Sequence, residues 1–223
     1  MDLHTFSIAA RSPEEGSFGV AVSTARPCVG TLVPFVSLRG AIATQARVNT
    51  DLGRLGLALL AAEIGIEMAL NTLLEADGDR QVRQLHGVDG ERTFAFTGQE
   101  CVEWAGHLIG TDYTIAGNML AGSQVIEAMA AAFEESFSLE LSERLVKALE
   151  AGQQAGGDKR GKQSAALLVA SPDPRGYHNL RVDDHAEPVA ELRRIYNLVV
   201  GHSNQIEEEY GLEGLRLFSR IKY

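Results

Sequence analysis

Residues 5–23 read TFSIAARSPEEGSFGVAVS, and their spacing predicts the hairpin from which the rest of the fold is read. Phe6, Ile8 and Ala10 alternate along one strand, and Phe18, Val20 and Val22 alternate along the next. A period of two puts each set on one face of a sheet. Between them Pro13-Glu14-Glu15-Gly16 is a turn: proline presets φ, and glycine is free to take φ > 0.

Working outward, extended chain is expected at 31–36 and 41–46. From about Asp51 to Ala76, Leu52, Leu55, Leu59, Ala62, Ile66 and Leu70 recur every three or four residues. That periodicity predicts a helix, stopped at Asp77-Gly78. A second hairpin is expected from Gln84–Val88 and Thr93–Thr97 around Asp89-Gly90, the dipeptide favoured by a type I′ turn. A strand at Tyr113–Ala116 follows, then helices over Ser123–Ser136 and Leu139–Ala155, the second closing at Gly156-Gly157. Ser164–Ala170 and Leu180–Val182 read as strands. A last helix is expected near Asp184, with Asp184 and Glu187 at capping-box spacing.

Helices cluster between blocks of antiparallel strands and do not alternate with single strands. The class is therefore α+β, not a Rossmann or TIM arrangement. No repeat or linker divides the 223 residues, so the expectation is one domain over 1–223, with 187–223 a C-terminal helical segment.

Composition excludes several function classes. A formal charge of −10 repels nucleic acid and anionic membrane on average. Lys159, Arg160 and Lys162 form too short a basic run, without interleaved aromatics, to reverse that. Glu63 and Glu67 interrupt the longest apolar stretch, which rules it out as a membrane span. Two widely separated cysteines, Cys28 and Cys101, suit a reducing compartment, and the start of the chain lacks the pattern of a signal peptide. The expectation is a soluble, cytoplasmic protein with a small-molecule ligand, no nucleic-acid or membrane partner, no cofactor, and homodimeric assembly.

Several strings together resemble a bacterial domain-of-unknown-function family, numbered one thousand and twenty-eight. They are Thr5-Phe6-Ser7-Ile8, Gly19-Val20-Ala21-Val22-Ser23, Ala43-Thr44-Gln45-Ala46 with Asn49, Trp104-Ala105-Gly106-His107 and Gly117-Asn118-Met119-Leu120. Gly156-Gly157-Asp158-Lys159-Arg160-Gly161, Gln163-Ser164-Ala165-Ala166 and Arg181-Val182-Asp183-Asp184-His185 complete the set. The resemblance implies the four-layer αββα sandwich of the Ntn hydrolases, in which two antiparallel sheets lie between helical layers. It implies no reaction.

An Ntn hydrolase attacks an amide with a Ser, Thr or Cys that has become residue one and begins a core strand. Its freed α-amine, of intrinsic pKa about 7.7–8.0, acts as the base. Thr5 and Ser7 are the hydroxyls on the first strand, two apart and so on one face. The pattern does not choose between them, and Ser23 is the candidate supporting residue on the second strand. Since the sequence begins at Met1, both hydroxyls stand within the chain and lack a free amine. Two functions therefore stand side by side: hydrolysis of a small amide, or a non-catalytic domain that binds a metabolite or partner.

Asn49, Asn118, Asp158, Arg160, Ser164, Asp183 and His185 are the candidate substrate-binding residues. Asn118 could donate an amide hydrogen to an oxyanion or simply sit in a turn. Around Asp158 the spacing of Gly156 and Gly161-Lys162 approaches a P-loop. Gln163 replaces the Mg²⁺-binding hydroxyl, and the loop leaves a helix for a strand, so nucleotide binding is rejected. Asp183-Asp184-His185 invites a metal, but neighbours on a strand point apart and Asp184 is expected to cap a helix. No metal is therefore assigned. Cys101 and His107 could form a nucleophile pair only if the fold brought them together.

Overall fold

In the computed structural model, which describes residues 2–3 and 5–218, the chain opens with a two-residue strand, β1 (Asp2–Leu3). It continues as the hairpin β2 (Thr5–Ser12) and β3 (Ser17–Thr24), in register from Thr5↔Thr24 to Ser12↔Ser17. Gly16 takes φ 63° at the turn, as its place beside Pro13 predicts. A short 3₁₀ turn at Val29–Thr31 leads into β4 (Pro34–Ser37) and β5 (Gly40–Arg47).

The single helix expected over 51–76 is two: α1 (Thr50–Ala61) and α2 (Ile66–Ala76). Glu63 breaks it by adopting φ 63°, and the Asp89 carboxylate caps the new start, Oδ2 accepting from Ile66 N at 2.7 Å. The buried stripe of α1 also differs from the apolar one. Leu55 is 39% exposed, while Gly53 and Gly56 face the sheet. A Cβ on Gly53 would lie 2.2 Å from the Phe35 ring, and one on Gly56 2.6 Å from Ile42. The helix lies so close to the sheet that a side chain does not fit at either position.

The second hairpin is β6 (Arg83–Asp89) with β7 (Thr93–Thr97). Its turn is not type I′, because neither Gly90 nor Glu91 has positive φ. The Asp89 side chain closes it, Oδ1 accepting from Glu91 N and Arg92 N. Then come β8 (Gly106–Ile109), β9 (Tyr113–Gly117), α3 (Gln124–Glu135), α4 (Leu141–Gln154), β10 (Ser164–Ala170) and β11 (Asn179–Val182). Strand β8 goes beyond the sequence expectation.

The last helix, α5 (Pro188–Phe218), starts four residues later than expected and is broken at Gly211. Proline suits the first helical position, where its missing N–H would have no partner. Asp184 is occupied elsewhere, accepting from Gln163 Nε2. Of the segment 187–223, residues 219–223 lie outside the described residues, as does Met1.

Both sheets are antiparallel. One runs β1-β5-β6-β7 with β4 also on β5; the other runs β11-β10-β3-β2-β9-β8. Three apolar clusters hold these elements together. Phe6, Ile8, Ile115 and Leu167 of the six-stranded sheet pack with Met129, Phe133, Leu145 and Leu192 of the helices. Ala9, Val20, Val22 and Ala166 of that sheet pack with Val36, Ala41, Ala43 and Val88 of the other. Ile42 and Leu85 on the far face of the smaller sheet pack with Leu52, Leu60, Ile66 and Leu70. Burying such side chains stabilises by about 1.5–3 kcal/mol each. The fold is thus mixed α+β, with two antiparallel sheets and five helices among the described residues. No helix there is long and apolar enough to cross a membrane.

Candidate functional site

Strand parity decides which polar side chains meet. On β2, Thr5 and Ser7 share the face of Ala9 and point between the sheets. Opposite them, Gln45 shares the face of Ala43, and Gln84 and His86 that of Val88. Ser7, Gln45, Gln84, His86 and Thr114 are completely buried, and Asn118 is 1% exposed. Burying so many polar groups is costly unless every one is partnered.

They are partnered, and two backbone carbonyls set the direction of every bond. Gln84 Nε2 donates to Gly117 O at 2.7 Å and Gly106 O at 3.0 Å, and lies 3.0 Å from Thr97 Oγ1. Carbonyls only accept, so Gln84 Oε1 must face the other way. There it accepts from Gln45 Nε2 and Asn118 Nδ2, both at 2.9 Å. Gln45 Oε1 is thereby turned to Ser7, whose hydroxyl donates to it at 2.6 Å. With its one proton committed, Ser7 Oγ accepts from His86 Nε2–H at 2.8 Å, and His86 Nδ1 accepts from Thr114 Oγ1 at 2.9 Å.

A backbone hydrogen bond at Thr114 would favour a proton on Nδ1 instead. The Gly106 and Gly117 carbonyls outweigh it, because the flipped chain would set the Gln84 oxygen against both. Burial, reinforced by the nearby His107, pushes the His86 pKa down to about 3, so the ring is neutral at pH 7. In this arrangement Ser7 Oγ accepts a hydrogen bond from the histidine and donates its own hydrogen to Gln45.

Thr5 differs. It is the first residue of β2, fully buried, and among the described residues its hydroxyl donates a long 3.5 Å bond to Thr24 Oγ1 across the strand pair. Asn118 N donates to Thr5 O. Ser164 is the cross-strand partner of Thr24, so Asn118, Thr5, Thr24 and Ser164 form a row across one end of the sheet. Asp158 borders it: Oδ2 accepts from Ala25 N and pairs with Arg160 Nη2 at 2.9 Å. Ahead of Thr5 the chain crosses to the other sheet, where Asp2 and Leu3 pair with Arg47 and Ala46.

Other expected residues have local duties. Ser23 has the parity of Ala21 and faces the helices, on the opposite side of the sheet from Ser7; its hydroxyl donates to Ser164 O. Ser164 Oγ in turn donates to Arg26 O and accepts from Val29 N. Asn49 caps α1 through Asp51 N. Asp183 pairs with Arg181, and His185 Nδ1 accepts from Glu187 N; both residues are exposed or half-buried. Among the described residues no group of three His, Cys, Asp or Glu is placed to hold a metal. Cys101 Sγ bonds Arg83 O and His107 bonds Thr97, so the two do not form a pair. Burial pushes the Cys101 thiol up to about 11, which keeps it protonated.

Of the four described non-glycine residues with positive φ, Cys28, Ala46 and Met119 lie toward the Thr5 end, with φ of 61°, 67° and 51°, and Glu63 lies by Asp89 at the other. The larger surface clefts, about 470 and 510 Å³, lie at the opposite end around Asp89 and Glu14 and touch none of this network. Sequence reading missed Gln45, Gln84, His86 and Thr114. Their signal was a polar residue at the inward parity of an otherwise apolar strand.

Comparison with known proteins agrees with the fold. A crystal structure of protein SPO2555 from Silicibacter pomeroyi, assigned to DUF1028, superposes with a TM-score of 0.81 at 36% identity. The match covers 87% of this chain and 85% of that one. No curated protein matches the chain. Residues 5–192 match the family described as a family of unknown function (DUF1028), and the chain belongs to that family.

Proposed function

We propose that the two sheets and their helices form an αββα sandwich of Ntn-hydrolase type, and that the chain is the precursor of an amidohydrolase whose nucleophile is Thr5. The three stacked clusters support the layer order. The position of Thr5 carries the functional reading: it heads a central strand, faces the space between the sheets and lies toward the end that holds Cys28, Ala46 and Met119, each with positive φ. The hydrogen bond from the Ser7 hydroxyl to Gln45 favours Thr5 over Ser7 in this role.

Hydrolysis of the peptide bond before Thr5 consumes one water and leaves an α-amine on it. That amine, near pKa 7.7–8.0 as a rough intrinsic value, takes the hydroxyl proton while Oγ1 adds to the substrate carbonyl carbon. The C–N bond then breaks as the proton passes to the leaving nitrogen. Water hydrolyses the remaining ester, releasing the acid and restoring the hydroxyl. A second reading, a non-catalytic binding domain, is favoured by the complete burial of Thr5 behind the β1 crossing.

Intact mass and peptide mapping after incubation with a β-lactone separate the two. The probe is added to the full chain and to a chain produced with Thr5 as its first residue. The hydrolase reading expects an adduct on Thr5 of the shortened chain and none on Ser7. A folded shortened chain that stays unmodified would overturn it in favour of the binding domain.

A further inference from the structure

Strand β7 ends the smaller sheet, with β6 on one side and, among the described residues, no strand on the other. The register shows which of its backbone groups are left over. Asp89 N donates to Arg92 O and Gly98 N donates to Arg83 O, so residues 92 and 98 turn their backbone toward β6. Alternation turns Phe94 and Phe96 the same way. It points the N–H and C=O of Thr93, Ala95 and Thr97 out at the free edge. All the residues of the strand are half-buried and none is fully covered.

Such an edge is a template for another strand, and proteins commonly blunt it with lysine, proline or a bulge. Thr93-Phe94-Ala95-Phe96-Thr97 carries no charge and no proline, in a chain whose formal charge is −10. It also reads the same in both directions, which makes it complementary to itself. A two-fold axis beside Ala95 sets Ala95 against Ala95 and Thr93 against Thr97, each pair exchanging both N–H···O bonds through the groups left at the edge. The same axis sets Phe94 beside the second copy's Phe96, on the face that Leu85 shares. Those are the non-hydrogen-bonded positions, where opposite side chains come closest.

Charge does not oppose this pairing. Each end brings exposed Glu91 and Arg92 of one copy to the Gly98 turn of the other, where Arg80 and Glu100 are exposed. Both signs stand on both sides, and Arg92 keeps its exposed ion pair with Glu67. The larger sheet ends on the same side of the molecule, at β8, where His107 Nδ1 lies 2.9 Å from Thr97 Oγ1. Ile109 shares the face of His107 and is 52% exposed, an apolar surface for the second copy to cover.

We propose that β7 is the interface of a homodimer, in which two copies pair antiparallel about Ala95 and continue the smaller sheet from one chain into the next.

Sedimentation equilibrium of the full chain, from micromolar to submillimolar concentration, should reach twice the 24.0 kDa chain mass. Backbone hydrogen exchange on the same samples should slow at Thr93, Ala95 and Thr97 as the dimer forms. Ala95→Pro removes an outward N–H and no bond to β6, so it should fold and weaken dimerisation at least about tenfold. A chain that stays at 24.0 kDa throughout overturns the proposal. So does a dimer whose edge amides exchange as fast as in the monomer, or a folded Ala95→Pro chain that dimerises as the wild type does. Edge amides slowed by a co-purifying protein on a chain that does not self-associate would give the strand to that occupant and overturn the dimer. If Ala95→Pro does not fold, exchange on the wild type decides alone. None of these outcomes depends on Thr5.

Discussion

His86 Nε2 lies 2.8 Å from Ser7 Oγ and donates to it, because the Ser7 hydroxyl donates its own hydrogen to Gln45 Oε1 at 2.6 Å. The pair joins the two sheets through a region where both residues are fully buried. The bonds tie the two sheets to each other beneath the row that contains Thr5.

Ser7→Ala should therefore cost stability and leave chemistry at Thr5 intact. It strands the Gln45 carbonyl and the His86 N–H in a dry interior, a loss of about 2–5 kcal/mol from two unsatisfied groups. Urea unfolding measures the loss, and β-lactone labelling of the chain beginning at Thr5 measures the chemistry. Labelling abolished in a folded Ser7→Ala variant would return Ser7 to the list of nucleophiles.

Acid should unfold the protein partly through His86. Its folded pKa, about 3, lies below the ordinary 6.5, so the unfolded chain takes up the proton first. The stability it supports is complete above pH 6.5 and is lost as pH falls from there towards 3, roughly 4–5 kcal/mol at the limit. Urea midpoints at pH 7, 6, 5 and 4 should fall for the wild type, and His86→Gln should flatten that slope. Equal slopes would remove His86 as the cause.

The Arg83–Asp77 pair, 2.8 Å apart with side chains 7% and 10% exposed, should behave as a buried ion pair. Arg83→Ala leaves a carboxylate uncompensated and frees the Arg47 carbonyl, a cost of about 3–5 kcal/mol. The Arg83 hydrogen bond holds the Asp77 carboxyl below its usual value, so that part of its stability is present above about pH 4 and lost below it. Thermal melts of Arg83→Ala against wild type at pH 7 check the first effect.

Asp89→Ala should destabilise by roughly 1–3 kcal/mol, more than a surface substitution. One carboxylate caps α2 and closes the β6–β7 turn, so both ends lose their partners. Calorimetry decides: a change within about 0.5 kcal/mol would mean water replaces these bonds.

Gly98→Ala should cost about 1–3 kcal/mol. An added Cβ would stand 2.2 Å from Gln81 O and 2.7 Å from Arg80 O, both backbone atoms that cannot rotate away. The unfolding midpoint reports the cost, and a midpoint within about 0.5 kcal/mol of wild type would mean the backbone shifts to admit the methyl.

How much of this was legible depends on the range of the interaction. Period-two alternation in 5–12 and 17–24 reflects neighbours along one strand, so the hairpin could be read directly. Glycine and proline at the Gly16 turn, and Gly156-Gly157 after α4, act within a few residues and were equally plain. Family strings carried the resemblance over most of the chain. The break at Glu63 was hidden, because its cause is a carboxylate at Asp89, 23 residues beyond Ile66 in sequence. The glycine face of α1 was hidden too, since the close approach of Phe35 and Ile42 exists only once sheet and helix are packed.

By itself, then, the sequence determined most of the strands and helices, the charge and the pair of candidate hydroxyls, all properties of local chain chemistry. Only the tertiary structure gives Thr5 and Ser7 different surroundings. The two share a strand face and look alike in sequence, and what distinguishes them is the far sheet. Gln45 and His86 reach across to bind Ser7, while Thr5 at the strand's end bonds Thr24 on its own sheet. A hydroxyl's reactivity is set by which neighbour holds its proton, and those neighbours lie 38 and 79 residues away.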